Sequence, residues 1–343
     1  MLNHHIIRGS HLEVGKALGR LGAAAVHGHL IHSSAWRAVM ALKHHPALPA
    51  MAAQVQAQCP AIWQEIQGLA QGLGMDAADV FAWQCRGDLW AMAPEGCTTL
   101  QLPGDPGHRV AHNEDGDPGL ASACALVSCA IDGQARFSSF IYPGSIPGHS
   151  FAVNDAGLVL TVNNLRCLGA AAGLPRMVLA RAVLAQRHLH AAVALIQHSP
   201  RSGGFHFTLG QRGERTLYSV EFNSRACSVL ALTQPAVHAN HMVHPAMAQQ
   251  AQIVTASSAQ RQQRGEACLS QLQGLKSALQ PLDVLFDQDH PQFPIYRKAP
   301  DDSDGENTIA TADLHIGAHE VRWAVHSGQN PVPDHCFKDD ALC

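Results

Sequence analysis

The chain has 343 residues, 46% of them hydrophobic and 15% charged, with a net charge of −4. That is enough apolar material for one large core or two fused layers, and the mild acidity, with no basic block, excludes nucleic acid as a partner. No run approaches the roughly 18 apolar residues of a membrane span, and Met1 to Arg8 lacks the basic-then-apolar layout of a signal peptide, so a cytoplasmic location is expected.

The first quarter reads as helical. Ser10 can cap, Glu13 follows as its capping-box partner, and Val14, Leu18, Leu21 and Ala25 recur at helical spacing. The pattern predicts one helix across residues 8–45, then two more at 47–58 and 60–72, split at Cys59-Pro60. Asp76 caps another that carries Val80, Phe81, Trp83 and Leu89. Pro94-Glu95-Gly96 makes an extended exit.

From Cys97 the pattern changes to strands separated by Pro-Gly and Asp-Gly turns. They are predicted at 97–102 and 108–113, then 122–131 and 135–142 about the Asp132-Gly133 hairpin signal, then 149–154 and 157–163. Two helices, 174–186 and 188–198, interrupt the series. Strands resume at 204–210, 215–222, 226–231 and 236–240. A long Gln- and Ala-rich helix over 246–279, a short one at 282–288 and two last strands, 307–316 and 320–326, close the chain. The order predicts an α+β fold of two antiparallel sheets with helices outside.

Ten cysteines are scattered among apolar residues without a C-x-x-C pair, which fits reduced thiols better than disulfides or zinc. Histidine is frequent, 23 in all, with arrays at His27, His29 and His32 and at His238, His241 and His244. A histidine-rich, non-catalytic metal-binding protein is therefore one alternative. Neither array has a carboxylate at ligand spacing, so the expectation is no metal.

The junction Gly96-Cys97 carries the chemistry. A cysteine exposed as a new N-terminus would offer a thiol nucleophile and an α-amine whose usual pKa of about 7.7–8 suits a general base. Three stretches supply the other residue types: Cys97-Thr98-Thr99; His112-Asn113-Glu114-Asp115; and the amides Asn163, Asn164 and Asn240, which can donate to an oxyanion. If 97–102 and 108–113 form a hairpin, Asp115 lies beside the start of the first strand, where a carboxylate could hold the Cys97 amine or thiol.

Gly96-Cys97-Thr98-Thr99, Asn113-x-Asp115, Phe151-x-x-Asn154-x-x-Gly157 leading to Asn163-Asn164-Leu165, Ala239-Asn240-His241 and Phe293-Pro294-Ile295-Tyr296-Arg297 stand in register. With them the chain resembles the cysteine N-terminal-nucleophile hydrolases, in the peptidase C45, isopenicillin-N acyltransferase-like branch. It looks closer there to the aminoacyl-amide hydrolases typified by N-β-alanyl-dopamine hydrolase. The opening, Arg8-Gly9-Ser10-x-x-Glu13-x-Gly15, is similar too.

The resemblance implies a four-layer αββα fold and a precursor that cuts itself between Gly96 and Cys97. Residues 1–96 would be a helical small chain and 97–343 the catalytic chain, the two staying associated. It implies Cys97 as nucleophile, Asp115 as the residue positioning it, and Asn240 with Asn163 or Asn164 as the oxyanion partners. His112, Thr99, His149 and Arg297 would lie around the substrate, Arg297 near its entrance. Related bile salt hydrolases carry Arg where His112 stands. The implied activity is hydrolysis of a small N-acyl or aminoacyl amide, or transfer of the acyl group to an amine, with no metal or organic cofactor; a homo-oligomer is left open.

Overall fold

The computed structural model describes the whole chain except Glu95, Pro106 and residues 275–279. The chain opens with a strand, β1 (Asn3–Gly9), where the sequence pattern pointed only to helix. Ile7 is buried as β1 pairs in parallel with a strand more than a hundred residues later, a partner that local periodicity does not reveal.

Helix α1 (His11–Gly28) then starts on the predicted capping box. The predicted single helix breaks after it into a 3₁₀ turn at Leu30–His32 and α2 (Ser34–Ala41). Next come α3 (Ala47–Gln58), α4 (Pro60–Leu73), α5 (Ala77–Gln84), capped by Asp76 as expected, and the single turn α6 (Arg86–Leu89).

From residue 96 the strands are β2 (Gly96–Leu102), β3 (His108–Gly116), β4 (Ala125–Ile131), β5 (Phe137–Ile141), β6 (Phe151–Asn154) and β7 (Leu158–Asn164). Helices α7 (Arg176–Leu184) and α8 (Leu189–His198) follow. They lead to β8 (Phe205–Gln211), β9 (Tyr218–Phe222), β10 (Cys227–Ala231) and β11 (Ala236–His238). The long predicted helix is shorter, α9 (Ala256–Gly274), and its predicted end lies outside the described residues. After α10 (Pro281–Leu285) come β12 (Asn307–Ile316) and β13 (Val321–His326). Two further strands, β14 (His335–Lys338) and β15 (Ala341–Leu342), were not anticipated.

These strands form an eight-stranded sheet, β1-β4-β5-β6-β7-β8-β9-β10, and a seven-stranded sheet, β11-β2-β3-β12-β13-β14-β15. All pairings are antiparallel except β1 with β4. Helices α7 and α8 contact the larger sheet, α9 and α10 the smaller, and β2 faces β7 between the sheets. The result is the four-layer α+β sandwich expected.

Packing on one side of the smaller sheet is apolar: Leu100, Ala111, Val237, Val284, Leu285 and Ile295 form one cluster. Between the sheets, by contrast, the neighbourhood of β2 is dense with buried polar side chains. Such groups cost several kcal/mol each unless hydrogen-bonded, so their concentration in one place marks the functional region.

Candidate active site

Strand alternation decides which side chains meet. The β2–β3 register pairs Cys97 with Glu114, Thr99 with His112 and Gly96 with Asp115. Paired residues share a face and neighbours along a strand do not. Cys97, Thr99, His112 and Glu114 therefore point between the sheets, while Asp115 points to the helix side.

On the inner face, Cys97 Sγ donates to Glu114 Oε2 across 3.7 Å. That oxygen also accepts from Ser150 Oγ at 2.6 Å and lies 3.0 Å from His112 Nε2. His112 Nδ1 meets Thr99 Oγ1 at 2.7 Å, and Thr99 Oγ1 reaches Asn163 Oδ1 at 2.7 Å. Burial drives the His112 pKa down to about 3, outweighing the opposing charge of Asp115. The imidazole is neutral near pH 7, so its contact with Glu114 is a hydrogen bond rather than an ion pair.

The backbone of Cys97 is held independently. Its nitrogen donates to Asn240 Oδ1 at 2.9 Å, and Asn240 Nδ2 donates to the Asn164 carbonyl at 3.1 Å. Arg261, fully buried in α9, donates to the Cys97 carbonyl at 2.5 Å, to Thr98 Oγ1 at 2.8 Å and to Asn240 Oδ1 at 2.7 Å. Burial lowers its pKa, but a guanidinium stays charged under any ordinary condition. The cation that His112 does not supply thus reaches Cys97 from a helix. Asn163 Nδ2 donates to the His238 carbonyl at 3.0 Å, and the Asn164 side-chain oxygen accepts from Arg176. Asn164 Nδ2 and Arg166 Nη1 both reach the carbonyl of Ala93, at 3.4 and 3.0 Å.

Two expectations change on the opposite face. Asp115 does not turn toward the thiol: its carboxylate accepts from Thr308 Oγ1 at 2.7 Å and faces Arg297 Nη1 at 3.5 Å. Arg297 is not at an entrance. It is 1% exposed, locked against Asp302, Asp115 and Glu306, the last at 2.8 Å. Burial pushes the Glu306 carboxyl up to about 7, although Arg297 and Arg166 pull it down. Gly96 is pressed against this group: a Cβ there would lie 2.5 Å from both Arg297 Nη1 and Glu306 Oε2. Gly96 is therefore closely packed against this ion-paired group.

Tyr142 donates through its hydroxyl to the Asp115 carbonyl at 3.1 Å. Its pKa rises through burial first and the Glu114 charge second, which places the phenol beside the inner cluster. Tyr142 is also a wall of a cleft shared with Leu30, Trp83, Arg86, Pro94 and Leu120. His149 packs its ring 5.7 Å from Tyr142 and contacts the Ile146 carbonyl at 2.9 Å.

Among the described residues, Cys97, His112 and Glu114 form the group able to hold a metal ion, their donor atoms lying within 4.8 Å of one another. Sulfur, imidazole and carboxylate are a zinc-type set. The sequence arrays do not converge in that way. His27 binds the Leu73 carbonyl, His29 pairs with Asp117, and His238 stacks on His206 while contacting Glu221.

Sequence reasoning missed Glu114 as the thiol's neighbour and Arg261 altogether. The first was recoverable from period-two alternation in the predicted hairpin. The second was not: Arg261 lies 164 residues from Cys97 on a polar helix with no motif around it.

The profile of the family described as Acyl-coenzyme A:6-aminopenicillanic acid acyl-transferase matches residues 103–330, a stretch that begins just beyond Cys97. No curated protein matches the chain. Among solved structures, a variant of conjugated bile acid hydrolase from Clostridium perfringens aligns with a TM-score of 0.48 at 10% identity, covering 71% of this chain and 92% of that one.

Proposed function

Since the chain belongs to the acyl-coenzyme A:6-aminopenicillanic acid acyl-transferase family, enzymes that act on amide bonds, we propose that it opens itself between Gly96 and Cys97 and then hydrolyses a small N-acyl or aminoacyl amide. The observation that carries this reading is the setting of Cys97. It sits at the head of a buried strand with its nitrogen on Asn240, its carbonyl on Arg261 and its thiol facing Glu114.

In turnover, the freed α-amine of Cys97 takes the thiol proton, and the thiolate attacks the amide carbonyl. Asn240 Oδ1 already holds that nitrogen, and the Asn240 amide N–H group serves the oxyanion. Asn164 fixes Asn240 through its carbonyl, and Asn163 fixes Thr99 behind the thiol. The α-ammonium protonates the leaving amine, and water discharges the acyl-enzyme. Asp115 acts from the other face, where with Arg297 and Thr308 it holds the strand opposite Gly96. Substrate enters along the cleft of Trp83, Leu120 and Tyr142, whose Pro94 wall belongs to the segment before the cut. Residues 1–96 and 97–343 are the two resulting pieces.

The family's description favours a second reading, transfer of the acyl group to an amine. Both share the acyl-enzyme, so partition of a labelled substrate with added amines separates them.

Intact mass under denaturing conditions tests the main reading. Wild type is expected as two fragments, beginning at Met1 and Cys97, and Cys97→Ala as one inactive chain. Uncut wild type that turns over amides would overturn it.

A further inference from the structure

Self-cleavage, on the reading above, meets a difficulty that turnover does not. Before the Gly96–Cys97 bond opens, the nitrogen of Cys97 is an amide, its lone pair spent in resonance with the Gly96 carbonyl. It cannot take the thiol proton. A different base must start the first reaction of the molecule's life.

We propose that Glu114 is that base. Its Oε2 lies 3.7 Å from Cys97 Sγ, on the face of β3 that the strand register turns toward the thiol. Among the described residues, the other groups that contact Cys97 or flank it on β3 are unsuited. Arg261 is a cation and Asn240 an amide, and both engage the backbone of Cys97. Asp115 is on the far face, held by Thr308 and Arg297. His112 touches Glu114 through Nε2 and Thr99 through Nδ1, so it acts through the carboxylate.

The network behind Glu114 holds the carboxylate in place. Thr99 has a single hydroxyl hydrogen and two acceptors within 2.7 Å, His112 Nδ1 and Asn163 Oδ1. With Glu114 ionised, His112 donates from Nε2 and the Thr99 hydrogen points at Nδ1. The Thr99 hydroxyl can equally turn its hydrogen to Asn163 and accept from Nδ1, so the contacts behind Glu114 suit either neutral tautomer of His112. A neutral imidazole serves both arrangements.

The step balances as follows. The thiol proton passes to Glu114 as sulfur bonds to the Gly96 carbonyl carbon. The C–N bond then breaks, and the Cys97 nitrogen takes the proton back from Glu114, leaving an amine and a Gly96 thioester. Water hydrolyses the thioester, releasing the Gly96 carboxylate and restoring the thiol. Once the α-amine is free it takes over as base, so Glu114 is needed for opening more than for turnover.

The test follows cleavage of the full chain during cell-free synthesis, by mass, for wild type, Glu114→Gln, Glu114→Asp and Asp115→Asn. Glu114→Gln is expected to open at least about 100-fold more slowly, the lower end of a general-base contribution. Its melting temperature should match that of uncut Cys97→Ala. Glu114→Asp, with its carboxylate drawn back by one methylene, is expected at an intermediate rate. Opening of Glu114→Gln within threefold of wild type, or arrest by Asp115→Asn alone, would overturn the proposal and leave the self-cleavage reading standing. If Glu114→Gln does not fold, Glu114→Asp decides: an intermediate rate supports the assignment and a wild-type rate rejects it. Wild type that never opens would instead remove the self-cleavage reading itself, and this proposal with it.

Discussion

At the scale of single residues, the proposed cleavage site is governed by what stands behind it. Gly96→Ala would put a methyl group against Arg297 and Glu306 at 2.5 Å. Neither end group can swing aside easily, because Arg297 is pinned by Asp302 and Asp115 as well. The start of β2 must shift instead, and attack geometry is sensitive to displacements of that size. We expect Gly96→Ala to fold yet open at least about tenfold more slowly, read by intact mass over time; wild-type opening would show that the pocket yields. Glu306 makes a separate prediction about pH. Its folded pKa, about 7, is raised above the usual carboxylate value. The stability it lends is therefore fully present below the unfolded pKa and lost as pH rises through about 7. Glu306→Gln mimics the protonated form, so its melting temperature relative to wild type should climb between pH 5 and pH 8. His112, whose depressed pKa works in the opposite direction at lower pH, is common to both proteins and cancels. A flat difference would refute the assignment.

Among elements, α1 and α4 pack backbone against backbone. Gly15 and Gly19 face Gly68 and Gly72, and a Cβ at Gly15 would lie 2.0 Å from the Glu65 carbonyl oxygen. Replacing a helical glycine normally adds roughly 1 kcal/mol of helix propensity. Here the obstacle is backbone, which cannot rotate away, and overpacking costs typically about 1–3 kcal/mol. Gly15→Ala should therefore destabilise the protein, against the propensity trend, in thermal or urea denaturation; a stabilised variant would mean the helices part freely. The same helix pair carries a buried charge group, Glu65 with Arg181 of α7 at 3.1 Å and His11 of α1 at 3.0 Å. Burial raises the Glu65 pKa, but Arg181 and His11 more than offset it and leave it lowered. The glycines thus seat a carboxylate that ties the first helices to the rest of the sandwich.

For the molecule as a whole, that tie predicts how the pieces would behave after the proposed cleavage. Residues before Cys97 contribute β1 to the larger sheet, paired along its length with β4. His335 reaches back to the Leu2 carbonyl at 2.7 Å, and Gln84 binds Gly144 and Ile146 through its side chain. Opening one peptide bond removes none of these contacts. The two fragments should co-elute in native size exclusion and separate only in denaturant. Elution of the larger fragment alone would disprove a shared core. No helix among the described residues is long and apolar enough to cross a membrane.

Local signals in the sequence determined most of the elements. The Ser10 and Asp76 caps, the Cys59-Pro60 break and the Asp132-Gly133 turn act over a few residues, and the structure places elements where they indicate. The Gly96–Cys97 junction was legible for the same reason, as a change of periodicity at one bond. Long-range pairing was beyond reach. β1 was read as helix because its partner lies on β4. Asp115 was placed beside the Cys97 amine or thiol from the expected hairpin and the family resemblance; the hairpin forms and sets Asp115 opposite Gly96, but alternation along β3 turns Glu114, not Asp115, toward the thiol. Arg261 and the seclusion of Arg297 depend on which helix and which loop close over the strand. Those are decisions of tertiary packing, in which side chains far apart along the chain compete for one buried space, and no local pattern records the outcome.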